Sequence, residues 1–253
     1  METACNRFFV ELSYLGTHYH GWQRQPTKIS VQETIENALS TILRQQTVIV
    51  GCGRTDSGVH AKQYFFHFDF EKNLPPHFVA TLNRVLPKDI AVKGLIRQED
   101  PSRHARFDAC KRTYEYHITF QKNPFLLLNT WKYNLATTPD PQLMQEAATL
   151  LASYSDFTPF CKTGHNASSM ICQLTESLWQ FDHENQTARY RVSANRFLRG
   201  MVRLLVGAQI QVGIKKMSLG ELQYALDNQS YLKKSVSVPP EGLSLTEVKY
   251  PWN

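Results

Sequence analysis

Between Arg7 and Tyr14 the side chains of Phe8, Val10, Leu12 and Tyr14 alternate with Phe9, Glu11 and Ser13, a period of two that predicts a strand ending at the Leu15-Gly16-Thr17 turn. The period then changes. Val31, Ile35, Leu39 and Ile42 recur every three or four residues behind Ser30-Val31-Gln32-Glu33, a capping-box pattern, and predict a helix that ends near Gln45. Thr47 to Val50 is β-branched, and Lys62 to Phe70 sets Tyr64, Phe66, Phe68 and Phe70 on one face, so both read as strands. A helix from about His77 to Val85 and a strand from Ile90 to Ile96 complete the order strand-helix-strand-strand-helix-strand, the split β-α-β or ferredoxin-like arrangement.

The same order returns downstream. Arg112 to Phe120 alternates Tyr114, Tyr116, Ile118 and Phe120 as a strand, and Asp140-Pro141 starts a helix carrying Leu143, Ala147, Leu150 and Leu151. Strands are expected at about Ile171 to Phe181 and Thr187 to Ala194. A helix follows from about Arg196 to Val212, then a short helix behind the capping box Ser218-Leu219-Gly220-Glu221, and a strand from Leu243 to Tyr250. The expectation is an α+β protein of two ferredoxin-like (RRM-like) halves, with antiparallel sheets and helices packed on one face. The seam is placed at Pro101-Ser102, giving an N-terminal domain over 1–102 and a C-terminal domain over 103–253.

Composition narrows the partner. A chain of 253 residues with 42% hydrophobic residues can bury a real core, which excludes a disordered or peptide scaffold. Lysine and arginine exceed acids by 28 − 22 = +6, which favours an anionic partner, nucleic acid before an acidic membrane surface. The start, Met1 to Arg7, is polar, and no stretch approaches the roughly 20 apolar residues of a membrane helix, so a cytosolic location without membrane attachment is expected. The cysteines Cys5, Cys52, Cys110, Cys161 and Cys172 are odd in number and form no Cys-x-x-Cys pair, which indicates neither a disulfide framework nor a ribbon-type zinc site. Cys161, His165 and Cys172 lack a fourth ligand at sensible spacing for a metal.

Three segments hold candidate chemistry. Gly51-Cys52-Gly53-Arg54-Thr55-Asp56-Ser57-Gly58-Val59-His60-Ala61 lies between two strands and reads either as a plain hairpin turn or as a rigid loop presenting the Asp56 carboxylate, with Arg54 reaching an anionic ligand. It lacks the Gly-Lys-Ser/Thr ending of a phosphate-binding P-loop. From Arg189 to Lys216, seven basic residues (Arg189, Arg191, Arg196, Arg199, Arg203, Lys215, Lys216) occur without an acidic one, either a solvated face or a phosphate-backbone track. Within the helix there, Phe197, Met201, Leu205 and Ala208 form a stripe that Leu204 and Val206 widen, so that Arg203, about 200° around from Met201, sits among large apolar neighbours. Arg203 either snorkels to solvent or meets an anion. Bases and aromatics interleave in Arg103-His104-Ala105-Arg106-Phe107 and in Lys111-Arg112-Thr113-Tyr114-Glu115-Tyr116, a mixture frequent in RNA recognition, although strand tyrosines are commonly core residues. His18 and His20, two apart in a loop, read as surface histidines, with metal binding together with His60 as the other option.

Gly53-Arg54-Thr55-Asp56-Ser57-Gly58-Val59-His60-Ala61 resembles the motif of tRNA pseudouridine synthases of the TruA family, and other segments agree in order. These are Gly21-Trp22-Gln23-Arg24-Gln25, Ser30-Val31-Gln32-Glu33, Leu86-Pro87-Lys88-Asp89-Ile90-Ala91-Val92, His104-Ala105-Arg106-Phe107, Asp156-Phe157 and Met201-Val202-Arg203. The resemblance implies an isomerase that converts uridine to pseudouridine at positions 38 to 40 of the tRNA anticodon stem-loop, needing no cofactor and no metal. It implies a homodimer of two-domain subunits with an RNA-binding cleft between the halves. It implies Asp56 as the catalytic aspartate, Tyr114 as the aromatic stacked on the target base, Arg203 as the cation paired with Asp56, and Arg54 near the flipped nucleotide. The chain departs from the family at Ser57, where alanine is frequent, at Leu204, where asparagine is expected, and at Arg199-Gly200, where a histidine-rich step is common.

The reaction breaks the N1–C1′ bond, turns the uracil and joins C5 to C1′. One ionised carboxylate can serve it, either as a nucleophile or as a base at C2′. The rival from another class is a non-catalytic RNA-binding protein of the same fold.

Overall fold

The computed structural model describes residues 6–134, 136–161, 169–233 and 235–252. The chain divides into two compact units, Met1–Cys110 with Leu245–Asn253, and Lys111–Ser244. The fold is α+β, with mostly antiparallel strand pairing and a short parallel contact.

In the first unit the order is β1 (Asn6–Tyr14), α1 (Val31–Leu43), β2 (Val50–Gly51), β3 (His60–Phe70), α2 (Phe78–Val85) and β4 (Ile90–Gln98), as the periodicities predict. β1 is central, flanked antiparallel by β3 and β4, with Phe8 opposite Phe68 and Val10 opposite Phe66. Strand β9 (Leu243–Lys249) lies beside β3, where the Val248 N–H donates to the Gln63 side-chain carbonyl at 3.0 Å. The expected strand at Thr47 to Val50 shrinks to Val50–Gly51 for an identifiable reason. The Thr47 N–H is taken by Ser40 Oγ at 3.0 Å and the Ile49 N–H by Glu36 Oε1 at 3.2 Å, so α1 side chains capture donors that a ladder would use.

The expectation that helices cover one face leaves the other face to be filled. Phe9 and Phe65 point there and meet Tyr250 edge-on at 5.8 and 5.4 Å, while Trp252 stacks on Tyr250. Both faces are thus apolar. This accounts for the runs Phe8-Phe9-Val10 and Tyr64-Phe65-Phe66, which one-sided burial would not produce.

The second unit holds β5 (Lys111–Thr119), β6 (Trp131–Lys132), α3 (Pro141–Ala152), β7 (Leu174–Asp182), β8 (Thr187–Ala194), α4 (Met201–Gly213) and α5 (Leu219–Asp227). Its ladder runs β5-β8-β7, and β6 pairs parallel to β5. Asp140 caps α3 by accepting from the Gln142 and Leu143 amides, and Ser218 with Glu221 closes the full capping box of α5. Helix α4 starts at Met201 rather than near Arg196, because Gly200 adopts φ +71° and turns the chain into the helix. It is also not a one-stripe helix. Every residue from Met201 to Gly213 is buried except Arg203, and Leu204 joins Met201, Leu205, Ala208 and Val212 in a core shared with α3 and α5.

Candidate active site

The loop from Cys52 to Val59 is held by its neighbours at nearly every residue. At its entry, the Cys52 N–H donates to the Phe65 carbonyl at 2.8 Å, and the Tyr64 hydroxyl donates to the Gly53 carbonyl. In the middle, the buried Thr55 shares a 2.9 Å hydroxyl bond with Tyr14, and its carbonyl accepts from the Trp22 N–H at 3.3 Å. At its exit, the Val59 N–H closes a turn onto the Asp56 carbonyl at 3.1 Å, and the Ser57 hydroxyl and Gly58 N–H both donate to the Tyr19 carbonyl. Asp56 sits half-buried at the centre of these bonds, and Arg54 is exposed two residues earlier.

Gly21-Trp22 forms the wall against this loop. Gly21 has φ +84°, and a Cβ there would collide with the Thr55 carbonyl, so only glycine lets the two backbones approach. The Trp22 ring stacks on Tyr64 at 4.0 Å, and Tyr14 meets Tyr64 edge-on at 5.6 Å. Tyr19 is anchored from behind, its hydroxyl donating to Asp89 at 2.7 Å; burial, and then that carboxylate, push its phenol above the ordinary range.

Arg54 is steered by a relay that sequence reading missed. Its Nε donates to Gln23 at 3.3 Å, the Gln23 amide donates to Gln32 at 2.7 Å, and Gln32 donates to Glu36 at 2.9 Å. Glu36 also accepts from Arg24 at 3.3 Å. Gln32 and Glu36 are buried polar residues one helical turn apart, beside the apolar stripe of α1. Their i, i+4 spacing was the available signal, and reading Gln32 only as part of the helix cap concealed it.

Tyr114 and Arg203 lie in the second unit. Tyr114 is half-buried on β5, opposite Val192 of β8, and meets Phe197 edge-on at 5.2 Å. It contrasts with Tyr116, two residues along the same face, which is fully buried and donates its hydroxyl to the Pro239 carbonyl at 2.8 Å. Burial, followed by the Glu241 carboxylate, raises the Tyr116 phenol, and the charge of Arg203 opposes the rise. Arg203 Nε donates to the Val238 carbonyl at 2.7 Å, and the Val238 N–H donates back to the Arg203 carbonyl at 3.3 Å. The 236–239 segment can cross α4 because Gly207 has no side chain; a Cβ there would strike the Val236 carbonyl.

The basic run is less open than its sequence suggests. Arg191 bonds Glu115 at 3.0 Å and Glu176 at 3.1 Å, and Arg189 lies 3.4 Å from Glu115, which is buried on the opposite face of β5 from Tyr114. Two of the seven cations are therefore matched by acids from other strands.

Among the described residues the metal-ligand options do not come together. His60 is buried, and its Nδ1 accepts the Gly16 N–H at 2.9 Å, a structural bond, while His18 and His20 are exposed. His165 lies outside the described residues, as does Cys5. Among the described residues no group of three or more His, Cys, Asp or Glu is placed to hold a metal ion, and no helix is long and apolar enough to cross a membrane.

The sequence profile described as tRNA pseudouridine synthase matches residues 12–108 and 147–251. A protein of Bacteroides fragilis named tRNA pseudouridine synthase A is 44% identical over 250 residues, covering 98% of each chain. Proteins of the same name from Bacteroides thetaiotaomicron (42% identity; 97% of this chain, 91% of the relative) and Porphyromonas gingivalis (40% identity; 97% of each) also align over nearly their whole length.

Proposed function

The chain belongs to the tRNA pseudouridine synthase family of isomerases, and from that premise we propose that it converts uridine to pseudouridine at positions 38 to 40 of the tRNA anticodon stem-loop, with Asp56 as the catalytic carboxylate. The observation that carries the assignment is the treatment of the Asp56 loop. Its backbone is bonded on both sides and wedged against Gly21, so the main chain that presents the carboxylate has little freedom left to lose. Preorganisation of this kind lowers the entropic cost of aligning a reacting group.

In this reading a uridine stacked in the stem is everted, at a cost of a few kcal/mol. Tyr114 stacks on the freed base and returns about 1–3 kcal/mol of it. The Asp56 carboxylate, with Arg203 proposed as its cationic partner, acts at the sugar as nucleophile or as base at C2′ while the N1–C1′ bond breaks. The uracil turns, C5 joins C1′, and the proton lost from C5 is balanced by one gained at N1. No atoms are lost and no redox change occurs, so the reaction needs no cofactor. Arg54, steered by Gln23, lies near the flipped nucleotide. The enzyme acts in the cytoplasm as a homodimer, with the RNA held in a cleft between its halves.

The test is Asp56→Asn assayed on unmodified tRNA transcript, with carbodiimide mapping of the product. Retained tRNA binding with loss of pseudouridine is expected; substantial turnover by this variant would falsify the assignment. A protein that binds tRNA but forms no pseudouridine with Asp56 intact would instead be the non-catalytic RNA binder.

A further inference from the structure

The turn after β4 carries a large exposed ring on an unusually firm mount. Phe107 is 74% exposed, yet every neighbouring peptide is tied down. His104 Nδ1 accepts the N–H groups of both Arg106 and Phe107, at 3.1 and 3.2 Å, and the Asp108 carboxylate accepts the His104 N–H at 2.6 Å. Ala105 between them is fully buried. Its N–H donates to His67 Nδ1 at 3.1 Å, and its carbonyl accepts the Tyr250 hydroxyl at 2.7 Å. The His104 imidazole stacks beneath the Phe107 ring at 4.3 Å and 29°, and the Arg106 guanidinium lies 5.6 Å from the ring centroid.

A ring left outward by chance would ride on a loose turn. This one is stacked on an imidazole, has a guanidinium over its ring, and stands on a turn whose peptide groups are fixed by five hydrogen bonds. Within 103–108, Arg103 and Arg106 stand against the single acid Asp108, for a net 2 − 1 = +1. Flat apolar surface set among positive charge matches a nucleobase joined to its phosphate, and it matches neither a lipid tail nor an acidic peptide, which offers no planar partner.

We propose that Phe107 is a stacking platform for an unpaired base of the RNA substrate, distinct from the everted uridine, with Arg106 taking an adjoining phosphate. The inference rests on the RNA-modifying reading above and adds a second base contact to it. Stacking on an aromatic is tolerant of sequence, so the platform contributes affinity and placement of the loop rather than base choice.

The experiment measures binding of the full chain to two probes at fixed salt: an RNA hairpin with a uridine-rich unpaired loop, and the same stem as a blunt duplex. Phe107→Ala is expected to lose about 5- to 100-fold in affinity for the hairpin and less than 2-fold for the duplex. Phe107→Trp is expected to match or exceed the natural protein. Phe107→Leu, equally apolar but without a π face, should behave as the alanine variant. A leucine variant that binds the hairpin as well as the natural protein, an equal loss on both probes, or no loss at all would each overturn the platform. So would an unchanged affinity accompanied by an altered molar mass in light scattering, which assigns the ring to contact between copies. Failure of the natural protein to form pseudouridine while its hairpin affinity still depends on Phe107 would remove the enzymatic reading and leave the platform standing.

Discussion

Arg203 and Val238 hold each other twice, through the side-chain Nε donating to the Val238 carbonyl at 2.7 Å and through the Val238 N–H returning to the Arg203 carbonyl at 3.3 Å. One edge of the guanidinium fork is thereby fixed, and its plane with it. Lysine at this position would keep the charge but lose the Nε donor and the rigid plane. Arg203→Lys is expected to fold, and to form pseudouridine about 100-fold more slowly, equivalent to about 2.7 kcal/mol of barrier. A single-turnover assay on tRNA transcript checks this, and wild-type rates would show that charge alone suffices.

Gly21 separates the Trp22 wall from the Asp56 loop. Gly21→Ala imposes a left-handed backbone on alanine and drives its Cβ into the Thr55 carbonyl, so a loss of about 1–3 kcal/mol in urea unfolding is expected, with a larger proportional loss of activity. Gly94, on β4 with open space where a Cβ would stand, is the control; alanine there should change stability by no more than about 0.5 kcal/mol.

Glu115 is a buried carboxylate that accepts from Arg189 and Arg191. Glu115→Ala leaves both guanidinium groups without that partner and should cost about 3 kcal/mol, measured as a shift in the urea midpoint at unchanged slope. Salt should narrow the difference only weakly, since the carboxylate is out of solvent.

His67 gives the pH dependence a sign. Burial first, then the charge of Arg7, depress its pKa to about 4, below the ordinary value near 6.5, and its Nδ1 must stay unprotonated to accept the Ala105 N–H. Between these values the unfolded chain binds a proton that the folded chain refuses, so stability falls as pH drops from about 6.5 to about 4 and the contribution is spent below that. His67→Asn, which keeps an acceptor but does not titrate, should flatten this part of the stability profile. An unchanged slope in the difference between the two proteins would show that His67 does not carry it.

Periodicity made the order of elements legible where a strand or helix buries one side, because burial writes itself as spacing. It misled where both sides are covered or where a side chain intercepts the ladder. Tyr250 and Trp252 fill the second face of the β1–β3 sheet, and Glu36 takes the Ile49 amide that a longer β2 would have used. The Asp56 loop stood out through its glycines, but its supports did not. Tyr14, Tyr19 and Gln23 lie 31 or more positions away along the chain from the loop residues they bond, and contacts of that kind leave no local pattern. The charge run from Arg189 also overstated the free cations, because the acids that answer Arg189 and Arg191 sit on β5 and β7.

The residues from Leu245 to Tyr250 belong to the body that carries Asp56, although the whole of the other body is encoded between them and Cys110. During synthesis the first body waits, with an open edge on β3 and with Phe9 and Phe65 uncovered, until the ribosome has produced some 130 further residues. A truncated product ending before Leu245 would hold every residue assigned to the chemistry and still lack a finished platform beneath it. Completing the body that carries the carboxylate therefore requires translation of the whole intervening segment.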